Sequence, residues 1–308
     1  MNTEHPTLNI DLVSIRDVIQ FSLSYHSCRS LCIGTNFFKA FIVILAATFL
    51  YFKPLQAQSL IPIHSGLEKA TSLYVTQNEI YIVEQGKDRV LKLDHSGKVL
   101  DTIGGKGSGN YQFSKPVDVD ATNGLKVFVS DFNNRRIQVF DRRGQYLSSI
   151  SASDAFGNNR PYNPTQIAVN GLGEVFFVDE AGNYIRRFDL DSNLLDEFRI
   201  SSEINSVDEM NVTSREILIL DKSSKTIHRL SLNGNYDGFY PAEDVKALFA
   251  SESGIWKAYS DRLEFENRSK QKRLIPFTSE FEAVDMHVLE GVVFILSADE
   301  LYKLSISE

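Results

Sequence analysis

An all-β disc, a six-bladed β-propeller with four-stranded antiparallel blades, is what this sequence predicts, and three observations predict it. Runs of four to seven β-branched and aromatic residues recur between Gly, Asn and Asp turns, and helix-length periodicity is absent. Acidic residues ending one such run fall at Glu84, Asp131, Asp179 and Asp221, in steps of 47, 48 and 42. The turn residues Gly97, Gly144, Ser192 and Gly234 close the next run in the same three steps, a register that chance alternation would not keep. Units of about 40–45 residues carrying four strands each are propeller blades.

The units follow one another along the chain. Segments 80–84 and 89–94 form the central pair of the first, 127–131 and 136–141 of the second, 175–179 and 185–189 of the third, and 217–221 and 227–230 of the fourth. Two shorter, divergent copies follow at 255–259 with 263–265 and 293–297 with 301–304, their landmarks each 38 residues further on. A short first strand precedes each pair, as at 164–169, and a fourth follows, as at 145–150. The last copy has no fourth strand of its own. Segment 59–63 is the spare strand-like piece, so it is expected to complete blade six; Pro62 is tolerated because an outermost strand has one unpaired side. A solenoid or two β-sandwiches are the alternatives.

Composition narrows the class. With 308 residues, 43% hydrophobic and 23% charged, the chain is neither disordered, collagen-like nor a multi-span membrane protein. The net charge of −8 repels phosphate backbones and opposes a nucleic-acid partner. Cys28 and Cys32 form a C-x3-C pair without further zinc ligands, and everything after them is cysteine-free. Packing alone must stabilise that body.

Residues 40–52, AFIVILAATFLYF, follow Lys39 and precede Lys53-Pro54-Leu55-Gln56-Ala57. Thirteen residues fall short of the roughly 20 that span a bilayer as a helix, but suit the core of an export signal. Cleavage is expected after Ala57, with an uncleaved membrane anchor or a buried helix as alternatives. Residues 1–57 are thus a tail plus signal or anchor, and 58–308 are the propeller. The protein is expected to be exported, either periplasmic or extracellular, or tethered by 40–52.

The stretch Gly104-Gly-Lys-Gly-Ser-Gly-Asn-Tyr-Gln-Phe-Ser-Lys-Pro116, followed by Val127-Phe-Val-Ser-Asp-Phe-Asn-Asn-Arg-Arg-Ile-Gln-Val-Phe-Asp141, resembles a full NHL repeat. The resemblance is strong over 104–144, recognisable at 65–103 and 158–192, and eroded beyond about 235. It implies a six-bladed propeller of the exported bacterial type; relatives include sensor ectodomains, RNA-binding regulators, lyases and lactonases. The motif residues themselves read as structural. Glycines and Asn133-Asn134 permit positive φ in turns, and Asp131 with Arg136 satisfies backbone and each other. Gly105-x-Gly107-x-Gly109 lacks the strand-before, helix-after context of a dinucleotide loop.

Chemistry is sought on the first strand of each blade, which lines the channel. With Leu73, Val119, Ile167, Met210, Leu248 and Met286 on the packed face, period two sends their neighbours toward the axis. Asp118, Asp120, Glu209 and Asp285 then converge there, beside His287. Such a ring suits a cation, Ca2+ foremost, or a cationic group on a ligand, or else a water-filled channel without a specific ion. Catalytic signatures are thin. His64, His95, His228 and His287 are scattered, and no nucleophile elbow is found. The basic pairs Arg135-Arg136, Arg142-Arg143 and Arg186-Arg187, with Lys270, Lys272 and Arg273, read as solvated blade sides rather than an RNA surface.

The functional expectation is therefore a monomeric, non-catalytic binding or scaffolding module for a protein, peptide or glycan of the cell envelope. A metal-dependent lactonase-like hydrolase or lyase using the acidic channel is the alternative. The long connections 151–163 and 235–246 are expected to carry the contact surface, with Tyr162, Tyr236, Phe239 and Tyr240 as exposed aromatic anchors or as caps on the blade ends.

Overall fold

Residues 57–122, 124–151 and 161–306 are described by the computed structural model of the protein. The apolar stretch at 40–52 and most of the 151–163 connection lie outside them. Among the described residues, no helix is long and apolar enough to cross a membrane.

The described residues form six four-stranded antiparallel sheets. From the axis outwards, blade one runs Ala70–Val75, Ile80–Glu84, Arg89–Leu93 and Val99–Gly104. Blade two is Pro116–Asp120, Lys126–Asp131, Arg136–Asp141 and Tyr146–Ile150. Blade three is Pro164–Val169, Val175–Asp179, Tyr184–Phe188 and Leu194–Arg199. Blade four is Glu209–Val212, Glu216–Asp221, Thr226–Ser231 and Tyr236–Pro241. Blade five is Ala247–Ala250, Gly254–Ala258, Arg262–Asn267 and Lys272–Pro276. Blade six is Asp285–Leu289, Val292–Leu296 and Glu300–Ser305, and its outermost member is Ile61–Ser65. That strand pairs antiparallel with Glu300–Ser305, Ile61 opposite Lys303 and Ser65 opposite Glu300.

Hydrophobic packing falls between blades. Tyr81, Val83 and Val90 of blade one meet Val119, Val129 and Phe140 of blade two. Leu73, Ile82 and Leu91 meet Phe294, Leu296 and Leu301 of blade six. Four further clusters fill the other junctions in the same way. Each fully buried Leu, Ile or Phe contributes about 1.5–3 kcal/mol, so the blades are held face to face by side chains rather than by backbone bonds.

The sequence landmarks have a shared mechanical role. Glu84, Asp131, Asp179 and Asp221 are all buried at the end of a second strand. Each accepts an amide hydrogen bond from the segment entering its own blade: Glu68 N at 3.0 Å, Ser114 N at 2.8 Å, Asn163 N at 2.9 Å and Asn205 N at 2.8 Å. Basic partners on the third strand complete the first three pairs, with Arg89 on Glu84, Arg136 on Asp131 and Arg186 on Asp179. The four turn landmarks all adopt positive φ, Ser192 included. Gly97 is additionally jammed against the outermost strand of blade six: a Cβ there would lie 1.9 Å from the Ile63 carbonyl oxygen.

Two expectations about connections are corrected. Segment 235–246 is not a long loop, because Tyr236–Pro241 is the outer strand of blade four. Tyr162 is not an exposed anchor. It is 2% exposed and packs edge-on against Phe177 and Phe188, with centroids 5.4 and 6.2 Å away. The ring sits just ahead of the inner strand of blade three, where the gap between blades two and three takes it in.

Candidate binding site in the central channel

Strand alternation puts Leu73, Val119, Ile167, Met210, Leu248 and Met286 in the interblade core. The residues preceding them, Ser72, Asp118, Gln166, Glu209, Ala247 and Asp285, share one register level of the six inner strands. Those following them, Tyr74, Asp120, Ala168, Asn211, Phe249 and His287, share the next. All of these except Ala247 line a central cavity of about 380 Å3. The four acidic residues singled out from the sequence therefore do share a cavity, together with His287.

What the carboxylates do there was not read from the sequence. Asp118 Oδ2 accepts the amide of Ile167 at 2.7 Å and Asp120 Oδ2 that of Val169 at 2.9 Å, both on blade three. Glu209 Oε2 accepts the amide of Leu248 at 2.9 Å and Asn211 Oδ1 that of Ala250 at 3.0 Å, both on blade five. Asp285 Oδ2 accepts the amide of Leu73 on blade one at 2.6 Å. An inner strand has no neighbour on its axial side, so its outward-pointing amides need acceptors from elsewhere. Blades two, four and six supply those acceptors to the blade that follows. Blades one, three and five carry Ser72 and Tyr74, Gln166 and Ala168, Ala247 and Phe249 at the same positions, so carboxylate staples alternate with softer junctions around the ring.

Taking these groups from water raises their proton affinity. Burial holds Asp118 up at about 6 and Asp120 at about 7. Burial, with the charge of Asp118 nearby, holds Asp285 at about 7. Burial and the charge of Asp285 keep Glu209 well above the usual carboxylate range. Burial pushes His287 the other way, down to about 3, so its imidazole is neutral at physiological pH.

His287 breaks the pattern of its ring. At the matching positions of blades two and four, Asp120 and Asn211 give an oxygen to the next blade's amide. The Nδ1 of His287, in a residue 7% exposed, has no hydrogen-bond partner among the described residues. Its ring is flanked by Tyr74 at 4.6 Å and Phe249 at 4.5 Å between centroids. Blades five, six and one thus contribute a continuous aromatic arc. Among the described residues, no three His, Cys, Asp or Glu side chains are grouped to hold a metal ion.

The proposed surface aromatics behave differently from one another. Phe239 is 58% exposed. Tyr236 is half-buried, and its hydroxyl meets His228 Nδ1 at 3.0 Å. Tyr240, also half-buried, lies beneath Lys270 and Arg229 at 4.4 and 5.4 Å. Several residues of the basic pairs hold carboxylates: Arg136 holds Asp131, Arg186 holds Asp179 and Arg187 holds Glu174. Arg142 and Arg143 instead join Lys92 and Lys126 around a second cavity of about 660 Å3, which shares Tyr74, Thr122, His287 and Leu289 with the first. This cleft was missed because a basic pair in a hairpin turn looks like any solvated turn.

No protein-family model matches the chain. Part of it is distantly similar to two NHL-repeat ubiquitin ligases. The mouse E3 ubiquitin-protein ligase TRIM32 is 32% identical over 103 residues, covering 30% of this chain and 16% of that protein. The human E3 ubiquitin-protein ligase NHLRC1 is 38% identical over 66 residues, covering 21% of this chain and 17% of that protein. The matched stretches thus span under a fifth of each ligase. Among solved structures, the RRP9 WD40 repeats align over 82% of this chain and all of that one, with a TM-score of 0.60 and 11% identity. The Xanthomonas campestris gluconolactonase XC5397 aligns over 80% of this chain and 89% of that one, with a TM-score of 0.59 and 13% identity. A streptogramin B lyase aligns over 81% of this chain and 87% of that one, with a TM-score of 0.54 and 9% identity. At these identities the likeness is one of fold, shared by binding modules and enzymes alike.

Proposed function

We propose that the protein is a non-catalytic recognition propeller of the bacterial cell envelope, holding a protein, peptide or glycan ligand on a rigid disc. One observation carries the reading: the axial carboxylates, which in a hydrolase would be the reacting groups, are engaged as acceptors for backbone amides of the following blade. A carboxylate fixed sideways by an amide serves the ring before it serves a substrate. The apolar stretch at 40–52 supports the envelope placement.

The test uses the full chain. Incubated with a panel of lactones in the presence of CaCl2, it is expected to give no turnover, while peptide and glycan arrays give saturable binding. Lactone turnover that Asp118→Asn abolishes would overturn the non-catalytic reading. Fractionation that finds the protein solely in the cytoplasm would overturn the envelope placement.

A further inference from the structure

The orphaned imidazole of His287, the aromatic arc around it and the carboxylates of the same cavity belong together, and we propose that the central channel is a binding site for a small organic ammonium. The inference deepens the recognition reading and rests on it, since it names a ligand class for the same disc.

Three features argue for an organic ammonium over a metal ion. First, the acids are present without metal geometry: each carboxylate already accepts from backbone, and among the described residues no trio of His, Cys, Asp or Glu is grouped as ligands. A carboxyl so held keeps unused lone pairs, and a cation brought near it favours its ionised form, but the group is not free to enclose a bare ion. Second, part of the wall beside them is soft. Tyr74, Phe249 and the imidazole, packed on one another, line the cavity with aromatic surface, the surroundings that favour ammonium over strongly hydrated Ca2+. Third, Nδ1 of His287 is desolvated and unpartnered, which costs free energy unless a ligand meets it. A neutral imidazole nitrogen carrying a lone pair accepts an ammonium N–H, and burial keeps this imidazole neutral. The volume of about 380 Å3 fits a small molecule better than a single ion.

An ammonium here also relieves the ring. Asp120 and Asp285 sit near 7 because burial opposes their ionisation, and a cation in the cavity would favour the ionised forms. Binding near neutral pH should therefore release protons.

The experiment titrates the full-length protein, labelled with 15N in its histidines, with n-butylammonium chloride at about pH 7. Saturable one-to-one movement of the His287 imidazole resonances is expected, and the binding heat should change with the ionisation enthalpy of the buffer. His287→Leu should weaken binding roughly tenfold, through loss of one hydrogen bond and one cation–π contact. Should that variant fold poorly, the discrimination among probes by the native protein still decides. An equal response to n-butanol would mean an unspecific apolar hole, a response to CaCl2 would mean a metal site, and silence toward n-butylammonium would mean no site; each overturns the inference. Lactone turnover would end the recognition reading without moving these resonances, whereas a silent titration beside saturable glycan or peptide binding would sink this inference alone.

Discussion

Replacing Asp118 by Asn separates two effects of its carboxylate. Oδ1 accepts from Ser72 Oγ and from the Val119 amide, and Oδ2 accepts from the Ile167 amide. Asn converts one of these acceptors into a donor, so a buried N–H or O–H loses its partner at a cost of about 1–3 kcal/mol. The second effect has the opposite sign. Burial raises the native carboxyl from 3.8 to about 6, so the folded state binds its proton more tightly than the unfolded chain does. Stability from this group is therefore greatest below the unfolded value and declines as pH climbs through about 6. The full decline is about 3 kcal/mol, of which about 2 kcal/mol falls between pH 4 and pH 8. Asn does not titrate and escapes that decline. In urea denaturation followed by Trp256 fluorescence, the gap between Asp118→Asn and the native protein should shift in favour of Asn by about 2 kcal/mol from about pH 4, where the native carboxyl is itself protonated, to about pH 8. A gap that stays constant or shifts the other way with pH would refute the account of a buried, amide-bound carboxyl held above its usual range.

Other expectations test the frame. Gly97→Ala forces a side chain into a φ of +88° against the Ile63 carbonyl and should lower stability by at least about 2 kcal/mol; amide exchange of Ile61–Ser65 should accelerate most. Tyr162→Ala should cost about 3–5 kcal/mol in thermal unfolding, whereas Phe239→Ala should stay within about 0.5 kcal/mol, because the first ring is core and the second is exposed. Asp131→Ala leaves Arg136 and the Ser114 amide without their carboxylate and should cost about 3–5 kcal/mol, with little recovery in Asp131→Asn, measured by chemical denaturation.

The blade repeat was legible because its landmarks are local. A buried acid ending a strand and a positive-φ residue closing the next hairpin each impose a residue type at a fixed place, so Asp131 and Gly144 announce themselves before any long-range contact is known. The inner strands were legible for the same reason: period two alone sends Asp118 and Asp120 to the axis. What those carboxylates bind there was not, since the amides of Ile167 and Val169 come from another blade and depend on how two sheets meet. Tyr162 stayed open between anchor and cap because an aromatic ahead of a strand looks the same whether it faces solvent or a neighbouring sheet, and the structure makes it core. The outer strand of blade four was misread because Gly238, at φ +93°, and Pro241 lie inside it and imitate a loop. The special character of His287 emerges from comparison with Asp120 and Asn211 at equivalent positions, a comparison that needs the register of the whole ring.

The pairing of Ile61–Ser65 with Glu300–Ser305 also bears on how the protein is made. Ser65 Oγ donates to Glu300 across 235 residues of sequence, so the outer strand of this sheet is made well before the three strands it joins. Blades one to five pair strands that are close in sequence and can form as they emerge, but the ring shuts only when the last strand is released. Until then the earliest strand waits without its partner and blade one presents a bare apolar flank. That interval is when a holding chaperone has something to hold, and its length is set by how fast the chain is delivered to its compartment rather than by the rate of sheet formation.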